Sequence, residues 1–265
     1  METWAHRVAV GDLPPGYTEW PAPAGLRHAI ACLWAQVTPD GSARRGLVLP
    51  DACTDLIWEP GRGAYVAGPD TGPAPTEMAA GTIIVGVRFR PAVGGPALGV
   101  PLSELRDQRV DLAELRRREA RRLPGTLDPD TALVRALDVA AGLVADGTPD
   151  EALTWAAELL EDPRARTEAV AGQIGLSERQ LRRRCHDAVG YGPKTLQRVL
   201  RFRRFVAQVD AAGGPQRGPH DPARDLATLA ARAGYADQAH LTRECRTLAG
   251  LTPAALARQR IAGPA

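Results

Sequence analysis

The apolar positions of the C-terminal half follow a helical period, and the same pattern is written twice. Leu181, Arg183, Cys185, Gly190, Pro193 and Leu196 recur 60 residues later as Leu241, Arg243, Cys245, Gly250, Pro253 and Leu256. Just upstream, Val170, Ala171 and Gly175 are matched by Leu229, Ala230 and Gly234 at an offset of 59. Each copy predicts a short apolar helix, a turn containing Gly, and a second helix opened by a capping residue. That is the outline of a helix-turn-helix. Ser177 can accept from the orphan N–H groups of the helix it precedes, and Gln180 can reach back to complete a capping box. Asp237 stands four residues before Leu241, as Ser177 stands four before Leu181, so the one-residue difference in offset falls in the turn. Gly190 and Gly250 suit helix ends, and Pro193 and Pro253 suit the first turn of the helix that follows.

The N-terminal half has a different rhythm. Residues 26–37, 46–58 and 82–90 are apolar runs rich in β-formers, separated by Gly- and Pro-rich turns such as 59–63 and 68–75. They predict a small, mostly antiparallel β-domain that continues into short helices at 101–106 and 111–122. A helix over 131–146 follows. Its apolar positions, Leu133, Leu137 and Val144 among them, either cover the β-domain or pair with a second subunit. The expected fold class is therefore α+β: a small antiparallel β-domain with short helices, then an all-α domain with two helix-turn-helix units.

Charge sharpens this division. Residues 166–265 hold 17 Lys and Arg against 8 Asp and Glu, a net of +9, while the preceding residues carry −7, which leaves the chain at +2. A nearly neutral whole conceals a basic half and an acidic half. The second helix of each repeat carries much of the basic excess. In the first, Leu181 and Cys185 face inward, while Arg179, Arg182, Arg183 and His186 follow the outer side. In the second, the outer side carries Gln238, His240, Thr242 and Arg243. Arg makes bidentate contacts to guanine or neutralises a phosphate, Gln reads base edges, and Thr bonds a phosphate or touches a thymine methyl. The duplicated pattern points to recognition of double-stranded DNA at two adjacent stretches of major groove. A solvated charged face is the plainer reading of any single Arg. Lys194 is the only lysine, and the Arg bias of the whole chain suits a GC-rich, actinobacterial genome.

The run GLSERQLRRRCHDAVGYGPKTLQRVLRFRR, followed by AARAGYADQAHLTRECRTLAGLTPAALARQR, resembles the DNA-binding domain of the AraC/XylS family of bacterial transcription regulators. The resemblance covers roughly residues 150 to 260. It implies two helix-turn-helix units joined by a long central helix, with recognition helices at 177–186 and 237–246. It places base contacts at Arg179, Arg182 and Arg183, then at Gln238, Ala239, His240, Thr242 and Arg243, and matches Arg201 to the family's central-helix arginine. This chain departs from the pattern at Cys185 and Cys245, where the family usually has Phe, and at Ala239, which cannot hydrogen-bond a base. It departs also in 211–225, a longer connection than usual whose composition reads as a surface loop. The run GVRFRPAVGGPALGVPLSELRDQRVDLAEL resembles the end of the sensor domain in a subset of the same regulators. The implied organisation is an effector-binding or dimerisation domain over 1–125, a linker helix over 126–149 and the DNA-binding domain over 150–265.

Candidate effector chemistry lies on the β-runs. Trp34 and Trp58 fall on predicted strands with Asp51, Asp55, Arg88 and Arg90 nearby, a mixture of aromatic walls and few charges that suits a small-molecule pocket. Strand tryptophans also serve as plain core, and Asp51–Arg88 or Asp55–Arg90 could be structural ion pairs. Enzymatic readings find no support: Asp51 and Asp55 have no accompanying nucleophile or base, and GxGxxG and GxxxxGK[ST] are absent. Cys32, Cys53, Cys185 and Cys245 form no CxxC pair, so neither a metal nor a cofactor is expected. With no signal-like N-terminus and no long apolar run, the expected location is cytoplasmic and nucleoid-associated, away from any membrane. The expected partners are promoter or operator DNA, a small-molecule effector, a second subunit, and RNA polymerase if the protein activates. The competing expectation is a non-sensing DNA-binding co-regulator whose N-terminal domain only dimerises.

Overall fold

The computed structural model describes residues 9–41, 43–212 and 226–261. In the N-terminal half, eight strands form: β1 (Gly16–Pro21), β2 (Ile30–Val37), β3 (Arg44–Val48), β4 (Thr54–Glu59), β5 (Gly63–Ala67), β6 (Ala74–Met78), β7 (Ile83–Phe89) and β8 (Arg109–Asp111). Among the described residues they build a six-stranded sheet in the order β1-β2-β7-β4-β5-β8 and a separate two-stranded ribbon, β3-β6. Among the described residues all the pairings are antiparallel, in keeping with the mostly antiparallel domain expected. Four short helices follow: α1 (Gly94–Leu98), α2 (Leu102–Leu105), α3 (Leu112–Leu115) and α4 (Arg117–Ala120).

The period of two divides the central strands between two apolar layers. Leu33, Ala35, Leu56, Trp58, Val66, Val85, Val87 and Phe89 point to one face of the sheet. Trp34, Ile57, Tyr65, Ala67 and Ile84 point to the other. The first face is covered by α5 (Pro129–Asp146), capped by Asp128, whose side chain accepts from the Thr131 N–H. Leu133, Leu137 and Leu143 of α5 are buried in that layer, and Val144 packs at its margin. The helix expected as a linker thus has its apolar face taken up by the sheet.

Several local expectations are revised. The 46–58 run is two strands in two different sheets, because Pro50 has no N–H to give a ladder. Beyond it, Ala52 turns the chain with φ +69, and the Asp51 carboxylate holds the turn by accepting from the Cys53 N–H at 2.9 Å. The 26–37 run becomes a strand only at Ile30, after a 3-10 turn at Ala24–Leu26. The 68–75 turn gives way to β6 at Ala74, and the helix expected over 111–122 is interrupted at Arg116, whose φ of −143° and ψ of 73° are not helical.

The C-terminal half is all helical: α6 (Glu151–Leu159), α7 (Thr167–Gln173), α8 (Glu178–Val189), α9 (Pro193–Ala212), α10 (Leu226–Ala233), α11 (Gln238–Ala249) and α12 (Pro253–Ile261). The long α9 runs through the centre of this half and buries Leu196, Val199, Leu200, Phe202, Phe205 and Val209. Most of the 211–225 connection lies outside the described residues. No helix among the described residues is long and apolar enough to cross a membrane.

The two halves share their packing. Ala52 and Ala92 come from loops of the β half, yet both are buried in the C-terminal core, with Leu49 packed beside them. Both alanines adopt a left-handed backbone with φ +69, which costs an L-residue about 1–2 kcal/mol. Helices α1 and α2 pack against α8. The Asp51 carbonyl accepts from Arg203 of α9 at 3.4 Å.

Candidate nucleic-acid interface

Each second helix is fixed by its own ends. At α8 the Ser177 hydroxyl accepts from the Gln180 N–H at 3.3 Å, and the Gln180 side-chain oxygen accepts from the Ser177 N–H at 2.8 Å. This is the reciprocal box that the sequence predicts, typically worth ~1 kcal/mol. At α11 the Asp237 carboxylate accepts from the His240 N–H at 2.6 Å. Gly190 and Gly250 close the two helices in the left-handed conformation, with φ +89 and +67. The helices extend three residues beyond the expected 177–186 and 237–246, to Val189 and Ala249.

The inner positions are core, as Leu181, Cys185, Leu241 and Cys245 are buried. The outer positions stand in solvent. Arg179, Arg182 and Arg183 are exposed, as are Gln238, Ala239 and Arg243, whereas His186, His240 and Thr242 are half-buried. The Thr242 hydroxyl donates to the Gln238 carbonyl at 2.8 Å. The His240 ring meets Tyr235 edge-on, with centroids 5.2 Å apart. Among the described residues Arg179, Arg182, Arg183 and Arg243 form no ion pair. Arg184, beside them in sequence, instead meets Asp150 at 3.4 Å, the residue that caps α6.

Sequence reasoning missed the clamp that holds the second unit. Glu244 lies on the inward side of α11, 8% exposed, and accepts from Arg198 of α9 through both oxygens at 3.0 Å. The available signal was an acidic residue adjoining the buried Cys245. Such a bidentate pair gives geometry as well as attraction, and it fixes α11 to the central helix α9.

On the β half, four of the six candidate effector residues come together. Arg88 of β7 lies 3.1 Å from Asp55 of β4, 3.3 Å from Asp51 and 3.2 Å from Glu19 of β1. The Trp34 indole N–H donates to Asp55 at 2.7 Å, and its ring lies flat on the bare backbone of Gly86, where a Cβ would come within 2.4 Å of it. The Tyr17 hydroxyl donates to Glu19 at 2.6 Å, and its ring tilts against Trp34 at 5.8 Å. Tyr17 and Glu19 escaped sequence reasoning because β1 is short and polar. Burial pushes the Asp55 carboxyl up to about 6, against the pull of Arg88; it likewise pushes the Cys32 thiol up to about 12.

Trp58 and Arg90 do not join this cluster. Trp58, three residues from Asp55, points to the opposite face, is fully buried, and donates its indole N–H to the Pro124 carbonyl at 2.9 Å. Arg90 lies just past the end of β7 and donates to the Arg27 carbonyl at 2.6 Å, so the Asp55–Arg90 pair does not form. Among the described residues no group of three or more His, Cys, Asp or Glu is placed to hold a metal ion.

The raised Asp55 value has a signed consequence. Its folded pKa lies above its unfolded one, so the folded state binds the extra proton between pH ~4 and ~6. The stabilising contribution is complete below the unfolded value and is lost as pH rises through the folded one. The unfolding free energy from urea titration should therefore fall across this window by a component on the order of 2 kcal/mol that Asp55→Asn removes. Identical pH profiles for the two proteins would show a fully solvated carboxylate.

Residues 170–259 match a family described as helix-turn-helix domain, and residues 18–111 match a domain of unknown function (DUF6597). No curated protein matches the chain. Among solved structures, ToxT from Vibrio cholerae O395 is similar at 10% identity, covering 87% of this chain and 98% of that one, with a TM-score of 0.46. ToxT from strain SCE256 bound to an unsaturated fatty acid is similar at 10% identity, covering 86% and 95%, with a TM-score of 0.41.

Proposed function

We propose that the protein is a sequence-specific DNA-binding transcription regulator of the AraC type, its residues 170–259 matching a helix-turn-helix domain family. One observation carries the reading. Two capped helices, joined through one central helix, each present a row of exposed side chains suited to base edges and phosphates, among them Arg179, Arg182, Arg183, Gln238 and Arg243. Buried partners hold the helices; the outward groups do no packing that would explain them. Tandem units in one chain replace the two-fold symmetry that single-motif proteins obtain by dimerising. The chemistry is recognition, not catalysis.

We further read the β half as the regulatory domain, responsive to a small molecule at the Trp34–Asp55–Arg88 face. Support comes from connection: Asp51 both bonds Arg88 and, through its carbonyl, meets Arg203 of the central helix. A second reading, in which this half does not sense but only dimerises or positions the DNA-binding half, is favoured by a specific observation. The Trp34 N–H and Arg88 already satisfy Asp55, so the cluster is complete without a ligand. A small molecule that raises the melting temperature and shifts DNA affinity together would decide for the sensor.

The DNA reading is tested by selecting duplexes from a random pool with the purified full chain. The expected product is an asymmetric, non-palindromic site with two protected major-groove patches about 10–10.5 base pairs apart. Enrichment of no sequence over the starting pool would overturn the reading. Protection of one patch alone, unaffected by changes at Gln238 and Arg243, would confine recognition to the first unit.

A further inference from the structure

Beside the second helix-turn-helix unit lies an open cleft of about 690 Å³. Its walls come from three places: the 162–164 loop ahead of α7, Arg201 of α9, and the α10–α11 turn with the first residues of α11. Four cationic or near-cationic groups converge there, Arg164, Arg201, Arg232 and His240, against one carboxylate, Asp162. Asp162 is engaged by its own loop, where it accepts from the Arg164 N–H at 2.9 Å. Arg164 and Arg232 are exposed and form no ion pair among the described residues. Arg201 is held from behind: it donates to the Pro163 carbonyl at 3.4 Å and lies 5.7 Å from the centre of the Tyr235 ring.

Two features mark the cleft as built to receive a group. Tyr235 lines it and is only 4% exposed, yet its hydroxyl has no hydrogen-bond partner among the described residues, nor has the Arg201 Nε. Buried polar groups are rarely left so. The walls are also fixed: Gly234 turns with φ +88 so close to Pro163 that a Cβ would lie 2.2 Å from the proline Cβ. Like charges gathered on a rigid frame repel one another unless an anion lies between them.

We propose that this cleft seats a phosphate of the DNA backbone flanking the second recognition helix. The inference rests on the DNA-binding reading and adds to it an anchoring site distinct from the base-reading row. Its chemistry is that of an oxyanion held by guanidinium forks. Its location identifies the source. His240 is the third residue of α11 and belongs both to the cleft wall and to the reading helix. With the start of α11 in a major groove, the strand bordering that groove passes the cleft.

The test is the double variant Arg164→Ala, Arg232→Ala in the full chain, with melting temperature as the check on folding; both side chains are exposed. Affinity for the selected site and for random duplex should fall by the same factor, with base preference unchanged. The slope of log affinity against log salt should lose about 0.9 for each phosphate released. The exposed Arg118→Ala, in the β half, should leave the slope unchanged. An unaltered slope in a folded double variant would overturn the proposal. So would a loss confined to particular base positions, which would make these arginines base readers. A melting shift with inorganic phosphate that needs both arginines, together with an unaltered slope, would reassign the cleft to a free oxyanion and equally overturn the DNA seat. If the unmodified chain enriches no duplex, the regulator reading falls and this proposal with it; if it does and the slope is unaltered, only the cleft assignment falls.

Discussion

Replacing Arg88 by methionine should lower the stability of the protein by about 3 kcal/mol at neutral pH, the lower end of what losing one member of a buried ion pair costs. Arg88 is the single cation among Asp51, Asp55 and Glu19, and its side chain is 22% exposed. Methionine keeps most of the stem's packing, so what is lost is the charge. Asp55, with 13% of its side chain exposed, then has only the Trp34 N–H for a partner. The open rim around Glu19 keeps the loss from being larger. Two comparisons make the result specific. The loss should shrink as pH falls through about 6, where Asp55 takes up a proton in the folded protein and no longer draws on the guanidinium. Combining Arg88→Met with Asp55→Asn should cost less than the two changes added, because they remove the same interaction. Urea unfolding reads all three quantities. A loss under ~1 kcal/mol at pH 7 would place the cluster among ordinary surface ion pairs.

The largest effect on DNA binding is expected from Arg183→Ala. An arginine bidentate to guanine is worth about 1–3 kcal/mol, so affinity for the selected site should fall by roughly 5- to 150-fold, with base preference relaxed at one position. Its neighbour provides an internal control. Arg184 carries the same charge one residue along, but its side chain turns to Asp150 and ties α8 to the start of α6. Arg184→Ala should lower stability modestly and leave base preference intact. Arg243→Ala should weaken binding without the fold changing, through either a base or a phosphate. Titration of each variant with the selected duplex and its single-base derivatives separates these outcomes. Equal, small effects at 183 and 184 would mean that α8 does not read bases.

Helices α8 and α11 were legible from sequence because everything that defines them is local. Ser177 with Gln180, Asp237, and the closing glycines act within a turn or two, and repetition of the whole pattern doubled the signal. Their inner faces followed from the spacing of Leu181 and Cys185. What escaped was non-local. The bond between Arg198 and Glu244 joins two helices 46 residues apart, and no periodicity encodes it. In the β half, long apolar strands such as β2 and β7 were visible, while β1, β5, β6 and β8, short or rich in Gly, Pro and polar residues, were not. The run at 46–58 looked continuous because its break depends on Pro50 and a left-handed Ala52, neither of which disturbs an apolar pattern. Trp58 was misplaced for a simpler reason. Asp55 and Trp58 stand three positions apart on one strand, and a period of two sends them to opposite faces. Arg90 has the parity of Arg88 but stands beyond the last ladder residue, Phe89, where strand geometry no longer directs it.

The two left-handed alanines decide how the halves can communicate. Ala52 and Ala92 belong to the β half by sequence and to the helical half by packing, so neither half is a finished object without the other. Asp51, which precedes Ala52, holds Arg88 on one side and Arg203 on the other. On the regulatory reading proposed above, a displacement at the sheet face would be passed to the central helix, and the reverse equally. Linkage of this kind has no preferred direction: whatever factor occupancy of the sheet face imposes on affinity for an operator, the operator returns to the sheet face. The promoter would then be an effector of the sensor as much as the sensor is a reader of the promoter.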